Sequence, residues 1–221
     1  MKKRITLAAN EEISLKEGYE GFIQQKQAMN VSKETVVYYG NCIRFFLGFI
    51  GEDALCRDIN EESIYAYILH LRETRENLSD VTINTYLRGI RAILYSLMEK
   101  GYVKPFKIRL ISAEKQLKET YTDEELEKLL KKPDLKKDSF STYRNWVIVC
   151  YLLGTGNRLR TLCNVKIGDV DFLTHEIRLK KVKNKKQYAI PLSKTLDKAL
   201  REYLSYRKGE ADDYFGCCSS S

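Results

Sequence analysis

Over the first hundred residues, apolar positions recur every three or four places, the period of helices that bury one face. Ser14 with Glu17 forms a capping box ahead of a helix over Leu15–Met29. Ser32 caps a second helix, in which Val36, Tyr39, Ile43, Phe46, Leu47 and Ile50 share a side and which Gly51 ends. Asn60 caps a third, over Glu61–Glu73. Ser79 caps a fourth that reaches Lys100, with Ile83, Tyr86, Leu87, Ile90, Leu94 and Leu97 as its apolar stripe and Gly101 as its stop. Four such helices can enclose one small core.

The period is lost over residues 103–119, which carry Pro105 and several cations and predict an inter-domain linker. Thr122 with Glu125 opens a short helix to about Lys131, and Pro133 breaks the chain. Ser141 or Thr142 starts the next helix, whose Trp146–Leu153 stretch is apolar on every side and so predicts burial all round. It leads into Gly154-Thr155-Gly156-Asn157-Arg158. After Asp171 the period becomes two: Ile177, Leu179 and Lys181, then Tyr188, Ile190 and Leu192, a β-hairpin around Val182–Lys186. Ser193 caps a final helix from Lys194 to about Tyr206, and residues 216–221 have no pattern and are expected to be disordered. The fold class is therefore mainly α with a small β-hairpin or sheet. The expected units are a helical domain over 14–102, a linker over 103–119, a second domain over 120–215 and the tail.

Charge changes this picture more than composition does. The chain has 221 residues and a net charge of +8. Residues 1–102 hold 13 Lys and Arg against 14 Asp and Glu, whereas residues 103–221 hold 25 against 16. The basicity sits in the second part, and a basic domain favours polyanions because phosphate contacts release counterions. No run approaches the roughly 20 apolar residues that span a bilayer. The apolar stretch after the basic N-terminus is too short for a signal peptide. Six cysteines without a CxxC pair, and only two histidines, predict reduced thiols in a cytoplasmic protein and no metal site.

Three features carry candidate chemistry. Arg158 follows an apolar helix and a tight turn. A guanidinium delivered there either meets a carboxylate such as Asp169 or is kept for a phosphate, which it can hold with two parallel hydrogen bonds. The hairpin carries Arg178, Lys180, Lys181, Lys183, Lys185 and Lys186 within nine residues, either a solvated basic ribbon or one laid on a nucleic-acid backbone. On the fourth helix Asn84, Arg88, Arg91 and Tyr95 make a polar face opposite the apolar stripe, either solvated or set against DNA with Lys33 and Thr35 from the start of the second helix.

The segment Leu152-Leu153-Gly154-Thr155-Gly156-Asn157-Arg158, followed by Asn164-Val165-Lys166 and Asp169-Val170-Asp171, resembles the first catalytic box of tyrosine recombinases, the phage integrase family. Lys183–Leu192 resembles the hairpin that follows it, and Thr82–Leu87 with Ile90-Arg91 resembles part of the family's helical core-binding domain. The resemblance covers about residues 14–215. It implies a four-helix, SAM-like core-binding bundle and the first half of a mixed α/β catalytic domain, closing as a C-shaped clamp on double-stranded DNA. It also implies a reaction: a tyrosine attacks a phosphodiester to give a 3′-phosphotyrosine, which a 5′-hydroxyl resolves, with no cofactor. By residue-wise match Arg158 would clamp the phosphate and Lys183 would protonate the leaving 5′-oxygen. Lys181, Lys185 and Lys186 would hold the DNA backbone, with Lys33, Thr35, Asn84, Arg88 and Arg91 in the helical domain.

The chain departs from the family pattern at Asn157, where the family usually has an apolar residue, and at two further places. Thr161 stands where the family has Glu or Asp, and the sequence stops before the family's His-x-x-Arg box and tyrosine. The literal His175-Glu176-Ile177-Arg178 is not that box. It falls in the first hairpin strand, where alternation sends His175 and Arg178 to opposite faces. Tyr206 is expected to pack in the last helix and Tyr214 to lie near a frayed end. The expectation is an integrase portion, of phage or mobile-element type, that binds DNA, can self-associate on it and does not cleave alone. The alternative is a non-catalytic regulator that occupies recombination sites.

Overall fold

The computed structural model describes residues 13–74, 78–114, 119–180 and 187–216, divided into two compact units at Leu117/Lys118. In the first unit the sequence caps form as read. Helix α1, Leu15–Ala28, starts at the Ser14–Glu17 capping box. Helix α2, Lys33–Ile50, starts at Ser32 and ends at Gly51. Helix α3 is Glu61–Thr74, with the Asn60 side chain accepting from Ser63 N at 2.9 Å. Helix α4, Asp80–Glu99, is capped by Ser79. A 3-10 turn at Cys56–Asp58 had no sequence signal. It is clasped to the start of α1 by Leu15 N donating to Ala54 O and Cys56 N to Ile13 O, at 2.8 and 3.0 Å.

Leu15, Phe22, Ile43, Phe46, Tyr67, Ile83, Leu87, Ile90 and Leu94 form the centre of this unit's core. Helices α2 and α4 approach closely at Gly89, where an added Cβ would stand 2.4 Å from Cys42 Sγ. One helix turn from Cys42, the hydroxyl of half-buried Tyr38 donates to Thr85 O at 2.6 Å. Burial pushes this phenol up to about 12, so it remains a donor throughout the ordinary pH range.

The segment read as a linker over 103–119 is not free along its first part. Val103 and Ile108 are buried in the same core, and Phe106, Leu110 and Ile111 pack against it. Asn84 fastens it, its Nδ2 donating to Ile111 O at 2.9 Å and its Oδ1 accepting from Ile111 N at 3.0 Å. Tyr95 adds a third bond, its hydroxyl accepting from Ile108 N at 3.2 Å. Phe106, Ile108 and Leu110 turn inward between exposed Lys107 and Arg109, a period of two that separates a strap from a loose tether.

The second unit begins with α5, Asp123–Leu130, behind the Thr122–Glu125 capping box. Helix α6, Phe140–Thr155, is capped by Ser139 rather than by Ser141 or Thr142, which fall within its first turn. It is not buried all round. Tyr143, Val147 and Tyr151 form one buried stripe, Ile148, Val149, Cys150 and Leu152 are half-buried, and Leu153 is 49% exposed. Among the described helices only α5 and α8 pack on α6 extensively, and two neighbours leave part of its surface open.

A short helix α7, Leu159–Leu162, and a 3-10 turn, Ile167–Asp169, follow. The antiparallel sheet is β1 (Val170–Asp171), β2 (Glu176–Leu179) and β3 (Tyr188–Pro191), in that order, with Ile177 opposite Ile190 and Leu179 opposite Tyr188. The hairpin expected from the alternation is present. Its tip, with Lys181, Lys183, Lys185 and Lys186, lies outside the described residues. Helix α8, Lys194–Arg207, starts at Ser193.

Residues 211–216 then return across the turn before β1. Ile167 N donates to Asp213 O, Gly168 N to Ala211 O and Phe215 N to Val165 O, at 2.9, 2.8 and 2.7 Å. Phe215 is buried in the second core. Tyr214, expected near a frayed end, is held through its backbone, its carbonyl accepting from Arg207 at 2.8 Å. No helix among the described residues is long and apolar enough to cross a membrane.

Candidate nucleic-acid interface

Arg158 owes its position to the end of α6. Gly156 ends that helix in the left-handed region, at φ 64°, where a side chain would strain the backbone. The turn is pinned back onto α6. Thr155 Oγ1 donates to Tyr151 O at 2.7 Å, and Asn157 Nδ2 donates to the Tyr151 hydroxyl at 3.2 Å. Asn157, where the family usually has an apolar residue, thus has a structural partner. Arg158 leaves this turn with extended backbone angles as the N-cap residue of α7, and it is exposed.

Asp169 was the carboxylate that could have paired with Arg158. It is 3% exposed. One of its oxygens accepts from Lys166 N at 3.0 Å, and the other meets the Lys180 ammonium at 2.5 Å. The Arg158 side chain makes no hydrogen bond or ion pair with any described residue, and Thr161, three residues on, supplies no charge. The guanidinium therefore faces solvent from a fixed turn, with its donors uncommitted to any described carboxylate.

Lys180, which the sequence placed only among the hairpin's cations, is the partner that Asp169 takes. It follows directly on β2, and its pairing with a buried carboxylate anchors the base of the basic hairpin. Its signal was available: β-alternation continued from Ile177 and Leu179 gives Lys180 the parity of Arg178, away from the core. Arg178 itself bonds Asp171 at 2.8 Å. The Asp171 carboxylate is held below its usual range first by the backbone amides of Thr174 and Leu173.

His175 and Arg178 go to separate partners. His175 sits in the turn before β2 at φ 54°, rather than within the strand, and its Nδ1 lies 3.0 Å from Asp197 Oδ1. Tyr206 packs edge-on against Tyr143, with ring centroids 5.8 Å apart. His70 packs on Phe49 at 4.9 Å, at the margin of the first core.

In the helical unit Lys33 is exposed at the first position of α2. Thr35 is half-buried, its hydroxyl 3.0 Å from Ser32 Oγ. On α4, Arg88 is exposed and Arg91 half-buried. Asn84 belongs elsewhere. It was expected on the solvated face but is 4% exposed, with its amide oxygen and nitrogen both given to Ile111. A polar residue at helical spacing from exposed ones cannot be told from them by sequence when its partner lies 27 residues away. Lys181, Lys183, Lys185 and Lys186 lie outside the described residues, so the structure assigns them no position.

The helical unit thus presents exposed cations on α2 and α4, and the second unit presents Arg158, whose side chain has no partner among the described residues. Family models agree with both halves. Residues 19–103 match the phage integrase N-terminal SAM-like domain, and residues 119–216 match the phage integrase family. The chain belongs to the tyrosine recombinase, or phage integrase, family. Relatives include the tyrosine recombinase XerA of Thermococcus kodakarensis, 28% identical over 82% of this chain and 59% of its own. A tyrosine recombinase of Pseudothermotoga lettingae is 24% identical over 83% and 64%. XerC of Staphylococcus aureus is 25% identical over 83% and 61%. The chain thus spans about three fifths of the length of these relatives.

Among solved structures, the fold matches the integrase of the Tn1549 transposon in complex with transposon right end DNA. The TM-score is 0.72 at 18% identity, over 91% of this chain and 71% of that one. It also matches a lambda integrase dimer bound to a COC′ core site, with a TM-score of 0.70 at 14% identity, over 94% and 74%.

Proposed function

We propose that these residues form the core-binding and phosphate-holding part of a site-specific recombinase that acts on double-stranded DNA in the cytoplasm, self-associating there as it works. Arg158 carries the reading. It is a guanidinium presented by a pinned turn, with the nearest expected carboxylate already paired to Lys180. A pentacoordinate phosphate gathers negative charge, and a cation fixed beforehand stabilises it without reorganising. By match to the family, Lys183 supplies the proton to the departing 5′-oxygen. Lys181, Lys185 and Lys186 hold the backbone beside it, and Lys33, Thr35, Arg88 and Arg91 hold DNA from the helical unit. Tyr206 and Tyr214, the two tyrosines weighed as nucleophiles, are engaged in packing and in backbone anchoring. The 221-residue chain is therefore expected to bind a nicked duplex without forming a covalent adduct.

A chimera tests the role of Arg158. These 221 residues replace the corresponding part of a DNA-cleaving relative, which supplies the nucleophile. Arg158→Ala should then lower strand cleavage by roughly 10²-fold or more, the scale of losing one preorganised contact to the transition state. Duplex affinity should change little, since Arg158 is one phosphate contact among many. Cleavage at the parent chimera's rate in Arg158→Ala would remove Arg158 from the reaction.

A further inference from the structure

The helical unit has a charge problem if it is to grip DNA. Residues 1–102 carry one more acidic than basic side chain. The strap that packs against them changes this, because residues 103–114 add Lys104, Lys107 and Arg109 against Glu114 alone. All three cations are exposed, while Val103 and Ile108 are buried and Phe106 and Leu110 half-buried. The apolar side chains fasten the strap to the bundle, and the alternation leaves its charges outside.

The strap's register is fixed at two points. Ile108 is bonded to Tyr95 and Ile111 to Asn84, so it runs antiparallel to α4. Arg88 and Arg91 lie between Asn84 and Tyr95 on that helix, and Arg109 lies between Ile108 and Ile111 on the strap, with Lys107 and Lys104 continuing past the Tyr95 contact. Arg109 stands near Tyr65, which places the strap toward the α3 side of α4. A backbone that ends fully bonded to a buried amide is held in one place, and cations on it keep a constant spacing from those of α4.

We infer that the strap is a second rail of the DNA interface: Lys104, Lys107 and Arg109 contact backbone phosphates alongside Arg88 and Arg91, and Asn84 is the positioning residue that holds the rail in place. The inference rests on the DNA-binding reading above and deepens it. Asn84 acts through the strap without touching DNA, and the tether between the units shortens to the residues after Ile111.

The experiment measures affinity of the full 221-residue chain for a short nonspecific duplex over a range of salt, for wild type, Lys107→Ala/Arg109→Ala, Asn84→Ala and Arg88→Ala. Each phosphate contact contributes about 0.9 to the slope of log affinity against log salt, so the double variant should flatten it by about 1.8. Asn84→Ala leaves the charge unchanged, yet it should also flatten the slope and speed trypsin cleavage after Lys107 and Arg109. Tyr95→Phe, which removes only the Ile108 bond, should show a smaller change of the same sign and serves if Asn84→Ala does not fold. An unchanged slope in the double variant, with a reduced slope in Arg88→Ala, would overturn the strap and leave the DNA reading standing. A wild-type affinity that does not respond to salt would overturn both. A flattened slope in the double variant, with Asn84→Ala and Tyr95→Phe like wild type, would overturn the positioning role.

Discussion

At the scale of single residues, the second unit is organised by carboxylates that each bridge two elements. Asp169 joins the turn before β1 to Lys180 after β2. Asp197, in the first turn of α8, takes Arg201 on one oxygen at 2.6 Å and His175 on the other at 3.0 Å. Arg201 also donates to Phe172 O at 2.9 Å, so this carboxylate ties the turn between β1 and β2 to α8. The Arg201 hydrogen bond, and then that of His175, hold the Asp197 carboxyl below its ordinary range. A depressed carboxylate stabilises the fold above its unfolded pKa and ceases to as pH falls through the folded one. Asp197→Asn should therefore melt below wild type at about pH 6, and the gap should close as the pH falls below the ordinary carboxylate range. A gap that stays constant over that range, followed by thermal unfolding in circular dichroism, would mean that the negative charge of Asp197 contributes nothing.

At the scale of elements, the helices were legible where their signals are local. N-cap serines lie next to the backbone amides they cap, so α1, α2, α4 and α8 begin where the sequence indicates. The cap of α6 was misplaced by two or three residues because Ser139, Ser141 and Thr142 offer the same chemistry and only the fold selects among them. The alternation that gave β2 and β3 is equally local. The strap and the burial of Asn84 were not legible, since both depend on a partner far along the chain. Arg158 was legible as a cation in search of an anion, but that Lys180 rather than Arg158 takes Asp169 required the sheet.

Close approach of α2 and α4 gives an element-scale prediction. Gly89→Ala places a methyl 2.4 Å from Cys42 Sγ and 2.8 Å from its Cβ, inside a packed interface. It should destabilise the first unit by about 1–3 kcal/mol. Gly48, also helical, has nothing within 4 Å of an added Cβ, and Gly48→Ala should stabilise by about 0.5–1 kcal/mol. Urea titration of the two variants measures both. A Gly89→Ala protein as stable as wild type would mean that the helices can move apart freely.

At the scale of the whole molecule, the two units differ in how completely their cores are enclosed. The first has all four helices and the strap around its centre. The second leaves Leu153 and parts of Ile148, Val149 and Leu152 open on α6, and open apolar surface favours association. Residues 1–117 should accordingly unfold as a cooperative monomer, while residues 118–221 should self-associate in sedimentation. Removing residues 103–117 from the first fragment should lower its melting temperature, because Val103 and Ile108 leave the core. A 1–102 fragment as stable as 1–117 would contradict the place given to the strap.

The central claim is that this chain holds DNA through phosphates, with basic charge concentrated after residue 102 and a hairpin of lysines following β2. Equilibrium binding of the 221-residue chain to duplex DNA of unrelated sequence, across increasing salt, tests it most directly. Affinity should fall steeply and linearly on a double-logarithmic scale, and Lys181→Ala with Lys185→Ala and Lys186→Ala should flatten that line by about three contacts' worth, near 2.7. Binding that ignores salt, or a triple variant with the wild-type slope, would contradict it.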